Sequence, residues 1–177
     1  MTEIMIDLET LSTKSNAVIL TIGAIKFNRN EEPLPLNRMD TFYRKIDIQS
    51  CMDVGLTTDK KTIEWWNKQS NEVVVEAFEG DDRIPLEEML TQFSMWFENS
   101  NRKIWSHGDD FDCVILNNAY TACKLEPPWK FWNTRDTRTL FDIKNFNLNS
   151  IQNKQPHNAL EDAYAQVLGV QLCFNTK

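Results

Sequence analysis

The sequence predicts an α/β fold, a sandwich in which helices flank a mixed sheet, and three features lead there. Two runs rich in β-branched residues open the chain with only a polar turn between them. The hydrophobic period then shifts to a helical one after residue 58, and a short strand returns between later helices. A length of 177 residues suits one domain, 1–177, able to bury roughly 70% of its extended surface without disulfides or a structural metal.

Ile4-Met5-Ile6-Asp7-Leu8-Glu9 and Ala17 to Phe27 read as the two strands of a hairpin. Pro33 and Pro35 interrupt pairing, and Thr41 to Ile46 resumes as a third strand. Thr62-Ile63-Glu64-Trp65-Trp66 begins the helical part. Leu86, Met89, Leu90, Phe93, Trp96 and Phe97 then recur on one face of a core-facing amphipathic helix. Lys103 to His107 is a short strand, and Asp110 is placed to cap a helix through Val114, Ile115, Ala119 and Ala122. A final helix starts at Asn158 or Ala159 and runs to about Leu172. Segments 28–38, 51–58 and 144–156 read as loops, and no internal repeat or domain linker interrupts the chain.

A formal net charge of −7 argues against tight binding of long duplexes, because phosphate recognition usually leaves a basic footprint. The acidic excess is local: residues 51–100 hold eleven acidic and four basic side chains, whereas 101–150, with Lys130, Arg135, Arg138 and Lys144, is slightly basic. Cys51, Cys113, Cys123 and Cys173 show neither a C-x-x-C pair nor zinc spacing, and no secretory signal precedes them, so reduced thiols in a cytoplasm are expected. No run approaches 18 apolar residues, so no membrane partner is expected.

Asp7 and Glu9 are two residues apart, so on a strand they leave one face while Ile4, Ile6 and Leu8 leave the other. A buried pair of like charges needs a compensating cation, and a hard divalent ion would serve; a solvated edge strand would need none. Further along, Asn158 followed by Glu161 has the form of a capping box, which puts His157 and Asp162 at the two positions that touch in a hydrophobic staple. Here that pair is polar. A surface histidine and a carboxylate near a helix N-terminus would also account for them. Among Asp109, Asp110 and Asp112, spacing alone does not choose a ligand.

Asp7-x-Glu9-Thr10, Phe111-Asp112 opening a helix, and His157-x-x-x-x-Asp162 together resemble the DEDDh, or DnaQ-like, 3′-to-5′ exonucleases of the ribonuclease H-like superfamily, in order and spacing over nearly the whole chain. Thr62 to Ser70 and Lys130 to Leu140 are similar to a small bacterial and phage group that includes the DexA-type enzymes of T-even phages. The resemblance implies a three-layer sandwich whose sheet combines an antiparallel N-terminal hairpin with parallel strands. It implies that Asp7, Glu9, Asp112 and Asp162 bind two Mg²⁺ or Mn²⁺ ions. His157 is implied as general base, the role a histidine most often takes in proton transfer. Position 158 is Asn, where the sister class carries tyrosine.

The same resemblance implies that the backbone around Thr10 and the Leu11 side chain meet the terminal 3′ nucleotide, with Leu11 wedged against its base and Phe111 near the same pocket. Trp65 and Trp66 offer either a stacking surface or core; they point about 100° apart, so at least one belongs to the core. Phe131, Trp132, Arg135 and Arg138 either line a single-strand groove or pack beside a strand. His107 is expected to orient the Asp112 loop rather than bind metal.

The expected activity is therefore metal-dependent 3′-to-5′ hydrolysis of single-stranded ends to nucleoside 5′-monophosphates, with DNA favoured on the DexA-type resemblance. The location would be a bacterial cytoplasm, or that of a host if the gene is a phage's, and a homodimer is compatible with the aromatic content. An exoribonuclease trimming RNA 3′ overhangs uses the same residues. An acidic, non-catalytic interaction protein would be expected to lack at least one of Asp7, Glu9, Asp112, His157 and Asp162.

Overall fold

The elements, in order along a computed structural model that describes residues 2–175, are β1 (Glu3–Thr10), β2 (Ile19–Phe27), β3 (Asp40–Lys45), α1 (Ile48–Asp53), α2 (Lys60–Trp66), α3 (Asn71–Phe78), α4 (Leu86–Phe97), β4 (Ile104–Ser106), α5 (Asp112–Ala122), β5 (Thr134–Asp136), α6 (Thr137–Ile143) and α7 (Ala159–Asn175). One five-stranded sheet runs β3-β2-β1-β4-β5. β1 pairs antiparallel with β2 and parallel with β4, and β4 pairs parallel with β5, so the sheet is mixed as expected. The result is an open α/β sandwich.

Alternation along β1 divides two cores. Ile4, Ile6 and Leu8 join the larger cluster with Phe93 and Phe97 of α4 and Leu116 and Tyr120 of α5. Met5 joins the smaller one with Phe141 of α6 and Ala163, Val167 and Val170 of α7. Being central, β1 cannot be the solvated edge strand that would have made Asp7 and Glu9 unremarkable; Glu9 is only 8% exposed.

Two local expectations are corrected. Residues 51–58, read as a loop, contain the end of α1; Asp47 caps that helix by accepting from the amides of Gln49 and Ser50. With only Cys51 buried, no apolar period announces it. α3, capped by Ser70, was similarly silent. Asp110 does not cap α5: Phe111 holds the N-cap position without a side-chain bond. A turn closed by the Phe111 amide on the Gly108 carbonyl, with Gly108 at φ +103°, carries Asp109 and Asp110 past the helix end.

Candidate active site

The three mutually parallel strands deliver their carboxyl ends to one edge of the sheet, where ligands of open α/β folds bind. Asp7 and Glu9 lie at the end of β1, His107 follows β4, and Arg138 follows β5. They line a cleft of about 560 Å³ with Phe111, Asp112, His157, Asp162 and Gln166, among others.

Asp112 is buried in the first turn of α5, and its Oδ1 accepts the Leu8 amide at 3.1 Å, tying the helix to β1 between the two strand carboxylates. Asp162 is brought in by α7. Gly23 pairs with Asp7 in the sheet, and a Cβ at Gly23 would fall 2.3 Å from the backbone of Ala159 and Leu160. Only glycine lets the first turn of α7 rest directly on β2. Asn158 caps α7 by accepting from the amides of Leu160 and Glu161, at 3.1 and 3.2 Å. The reciprocal half of a capping box is not made, since the Asn158 amide bonds the Gln155 carbonyl.

His157 and Asp162 do meet, through the backbone: the His157 amide donates to Asp162 Oδ2 at 2.9 Å. Asn153 Nδ2 donates to the other oxygen. His157 holds φ +66°, a left-handed conformation sparsely used by residues with a side chain. Trp65 meets its imidazole edge-on at 5.0 Å between centroids, and Trp66 stands 6.4 Å away. Trp66 is core, as required of one of the pair, and its Nε1 donates to the Thr10 carbonyl at 2.9 Å. Glu9, His157 and Asp162 bring ligand-capable atoms within 4.8 Å of one another.

The electrostatics are those of uncompensated charge. Burial, then Asp112, Glu9 and Asp162, push the Asp7 carboxyl well above its ordinary range. Burial and the neighbouring Asp162 and Asp112 raise Glu9 to about 8. Burial raises Asp112 to about 7 despite the Leu8 bond, and raises Asp162 against the opposing pull of His157. An all-oxygen donor set of this charge fits hard divalent cations.

Two further side chains take part. Gln166, one helical turn beyond Asp162, donates from Nε2 to Asp7 Oδ1 at 2.7 Å; the i, i+4 spacing was its one available signal. Of the aromatic-plus-basic segment, Arg138 alone lies in the cleft. His107 bonds Thr137: the Thr137 hydroxyl donates to the Ser106 carbonyl at 3.1 Å, so it accepts from His107 Nδ1 at 2.8 Å, leaving Nε2 unprotonated. Burial and Arg138 lower the His107 pKa, which keeps the ring neutral.

Other expected substrate residues are dispersed. Phe111 lines the cleft. Leu11 is 4% exposed within the larger core, and the Thr10 carbonyl accepts from Trp66 Nε1. Phe131 and Trp132 are exposed and pack on each other beside a separate groove, while Arg135 bonds the Trp132 and Thr134 carbonyls.

A ribonuclease H-like sandwich carrying four convergent carboxylates at the end of its central strand defines a nuclease of the DEDDh-like class. The chain belongs to the 3′-5′ exoribonuclease Rv2179c-like domain family, whose pattern it matches over residues 2–174. It is 29% identical to the exodeoxyribonuclease of Enterobacteria phage T4, covering 78% of this chain and 70% of the relative. Its fold matches E. coli Exonuclease I bound to a dT13 oligonucleotide, with TM-score 0.66 and 14% identity over 97% of this chain. Exonuclease I from Methylocaldum szegediense matches with TM-score 0.59 and 10% identity over 97% of this chain. The chain spans 40% of the length of each of those two solved proteins. It is a 3′-to-5′ exonuclease acting on nucleic acid, and membership of an exonuclease family implies divalent metal ions.

Proposed function

We propose that the chain removes nucleotides from the 3′ end of single-stranded DNA in preference to RNA and releases nucleoside 5′-monophosphates. Asp7, Glu9, Asp112 and Asp162 would hold two Mg²⁺ or Mn²⁺ ions, with His157 as general base. The observation that carries this reading is the convergence of those four carboxylates with His157 in one cleft. When bound, two divalent ions stabilise charge on the attacking and leaving oxygens of an in-line displacement at phosphorus.

The protein's own contribution is placement and one proton transfer. His157 accepts a proton from water as that water attacks the terminal phosphodiester; the 3′-oxygen of the preceding nucleotide leaves with the electron pair. Trp65 restricts the swing of the imidazole, and Gln166 fixes the rotamer of Asp7. Burial of Glu9 and Asp112 excludes bulk water from the side of the cleft that holds the charge.

The DNA preference is supported by the phage exodeoxyribonuclease, and an RNA substrate by the family's description as exoribonucleases. The test compares 5′-labelled DNA and RNA oligonucleotides of one sequence in Mn²⁺, with Asp7→Ala as the blank. Stepwise shortening from the 3′ end, faster on DNA, is expected. Faster RNA shortening overturns the preference, and release of 3′-monophosphates overturns the chemistry.

A further inference from the structure

We propose that Arg138 grips a backbone phosphate of the bound strand next to the one being cleaved, making it a sequence-independent substrate-binding residue. This rests on the exonuclease reading of the cleft. Among the described residues lining that cleft, Arg138 is the one Lys or Arg, set against Asp7, Glu9, Asp112 and Asp162. A polyanion entering such a cleft needs a permanent cation beyond what the carboxylates can hold, and a planar guanidinium suits phosphate oxygens two at a time.

Among the described residues no hydrogen bond or ion pair engages the guanidinium. Asp136, its nearest acid in sequence, is saturated. It caps α6 by accepting the Arg138 and Thr139 amides at 3.1 and 3.0 Å, and it also accepts the Thr139 hydroxyl at 2.6 Å and the Gly108 amide at 3.0 Å. The last bond ties the Gly108 turn to Asp136 at the start of α6. A Cβ at Gly108 would lie 3.2 Å from Arg138 Cζ, so the guanidinium rests over bare backbone. Asp110 Oδ1 approaches the same point at 3.3 Å yet forms no ion pair with Arg138. Arg138 lines the same cleft as Asp7, Glu9, Asp112 and Asp162, which puts the cation on the wall that a strand end must pass. The hydrolytic step as derived does not use it.

The test measures Arg138→Ala and Arg138→Lys with 5′-labelled oligothymidylates, both as initial rates of terminal release and as binding by fluorescence anisotropy. Arg138→Ala is expected to raise KM and Kd about tenfold or more, to lower kcat little, and to reduce the slope of log Kd against log salt by about one. Arg138→Lys recovers part of the loss. A single neutral methylphosphonate at the linkage preceding the terminal one should weaken the wild type to the level of Arg138→Ala and leave that variant unchanged. An Arg138→Ala protein with unaltered salt slope, or one weakened by that linkage as much as the wild type, overturns the proposal. Failure of the wild type to shorten any strand overturns the exonuclease reading separately, because anisotropy still scores the phosphate contact.

Discussion

Asp162 is held on both oxygens, by Asn153 and by the His157 amide, so it is presented to Glu9 rather than left to choose a rotamer. Replacing it by Ala, or Asp7 by Ala, should abolish most nucleotide release and weaken Mn²⁺ binding measured by titration calorimetry. His157→Ala should lose about 10²- to 10⁴-fold in kcat, the span typical of general base catalysis, while keeping its Mn²⁺ affinity. A wild-type rate in that variant removes the general-base assignment. Gln166 is subtler. Its Oε1 is buried without a hydrogen-bond partner among the described residues, so the amide is oriented by its donation to Asp7. Gln166→Leu keeps the volume but frees Asp7, and Mn²⁺ affinity should fall by about tenfold with the fold intact by circular dichroism.

The helix that carries Asp162 and Gln166 reaches the site because a strand residue has no side chain. Gly23→Ala drives a methyl into the backbone of Ala159 and Leu160, and that backbone, unlike a flexible side chain, has no easy way to yield. The start of α7 must then lift from β2, costing about 1–3 kcal/mol of stability in urea denaturation and moving Asp162 away from Asp7. Activity should fall further than the stability loss explains. Elements with a strong apolar period, such as α4, were legible in the chain because their burial repeats every three or four residues. The short helices α1 and α3 each bury one residue and were not. The Trp65-Trp66 pair was legible as holding at least one core ring; that Trp65 walls His157 follows only from how α2 packs near the start of α7.

The folded chain concentrates buried acids whose pKa values rise on folding, and this gives its stability a definite pH dependence. Glu9 rises from 4.5 to about 8 and Asp112 from 3.8 to about 7, with Asp7 raised as well. The native state therefore binds more protons than the unfolded one. Its advantage is complete below the unfolded values and is lost as pH climbs through about 7 to 8. Asp40 and Asp136, whose pKa values are lowered, act in the opposite sense only in more acidic solution. With EDTA present, Tm should fall steadily between about pH 5 and 8. Mg²⁺ should restore it most at the alkaline end; a flat Tm without metal would show that the carboxylates do not carry strain.

What the chain declares on its own is local. Strand alternation puts Asp7 and Glu9 on one face, and the cap at Asn158 makes His157 and Asp162 neighbours, because both relations span a few residues of regular backbone. The tertiary structure alone decides that Asp112 rather than Asp109 or Asp110 turns inward, that Gln166 holds Asp7 and that Arg138 faces the cleft. Asp112 meets Leu8 across 104 residues, and Gln166 meets Asp7 across 159. Those contacts depend on how the sheet orders its strands and how closely α7 approaches Gly23, distances that no local period records.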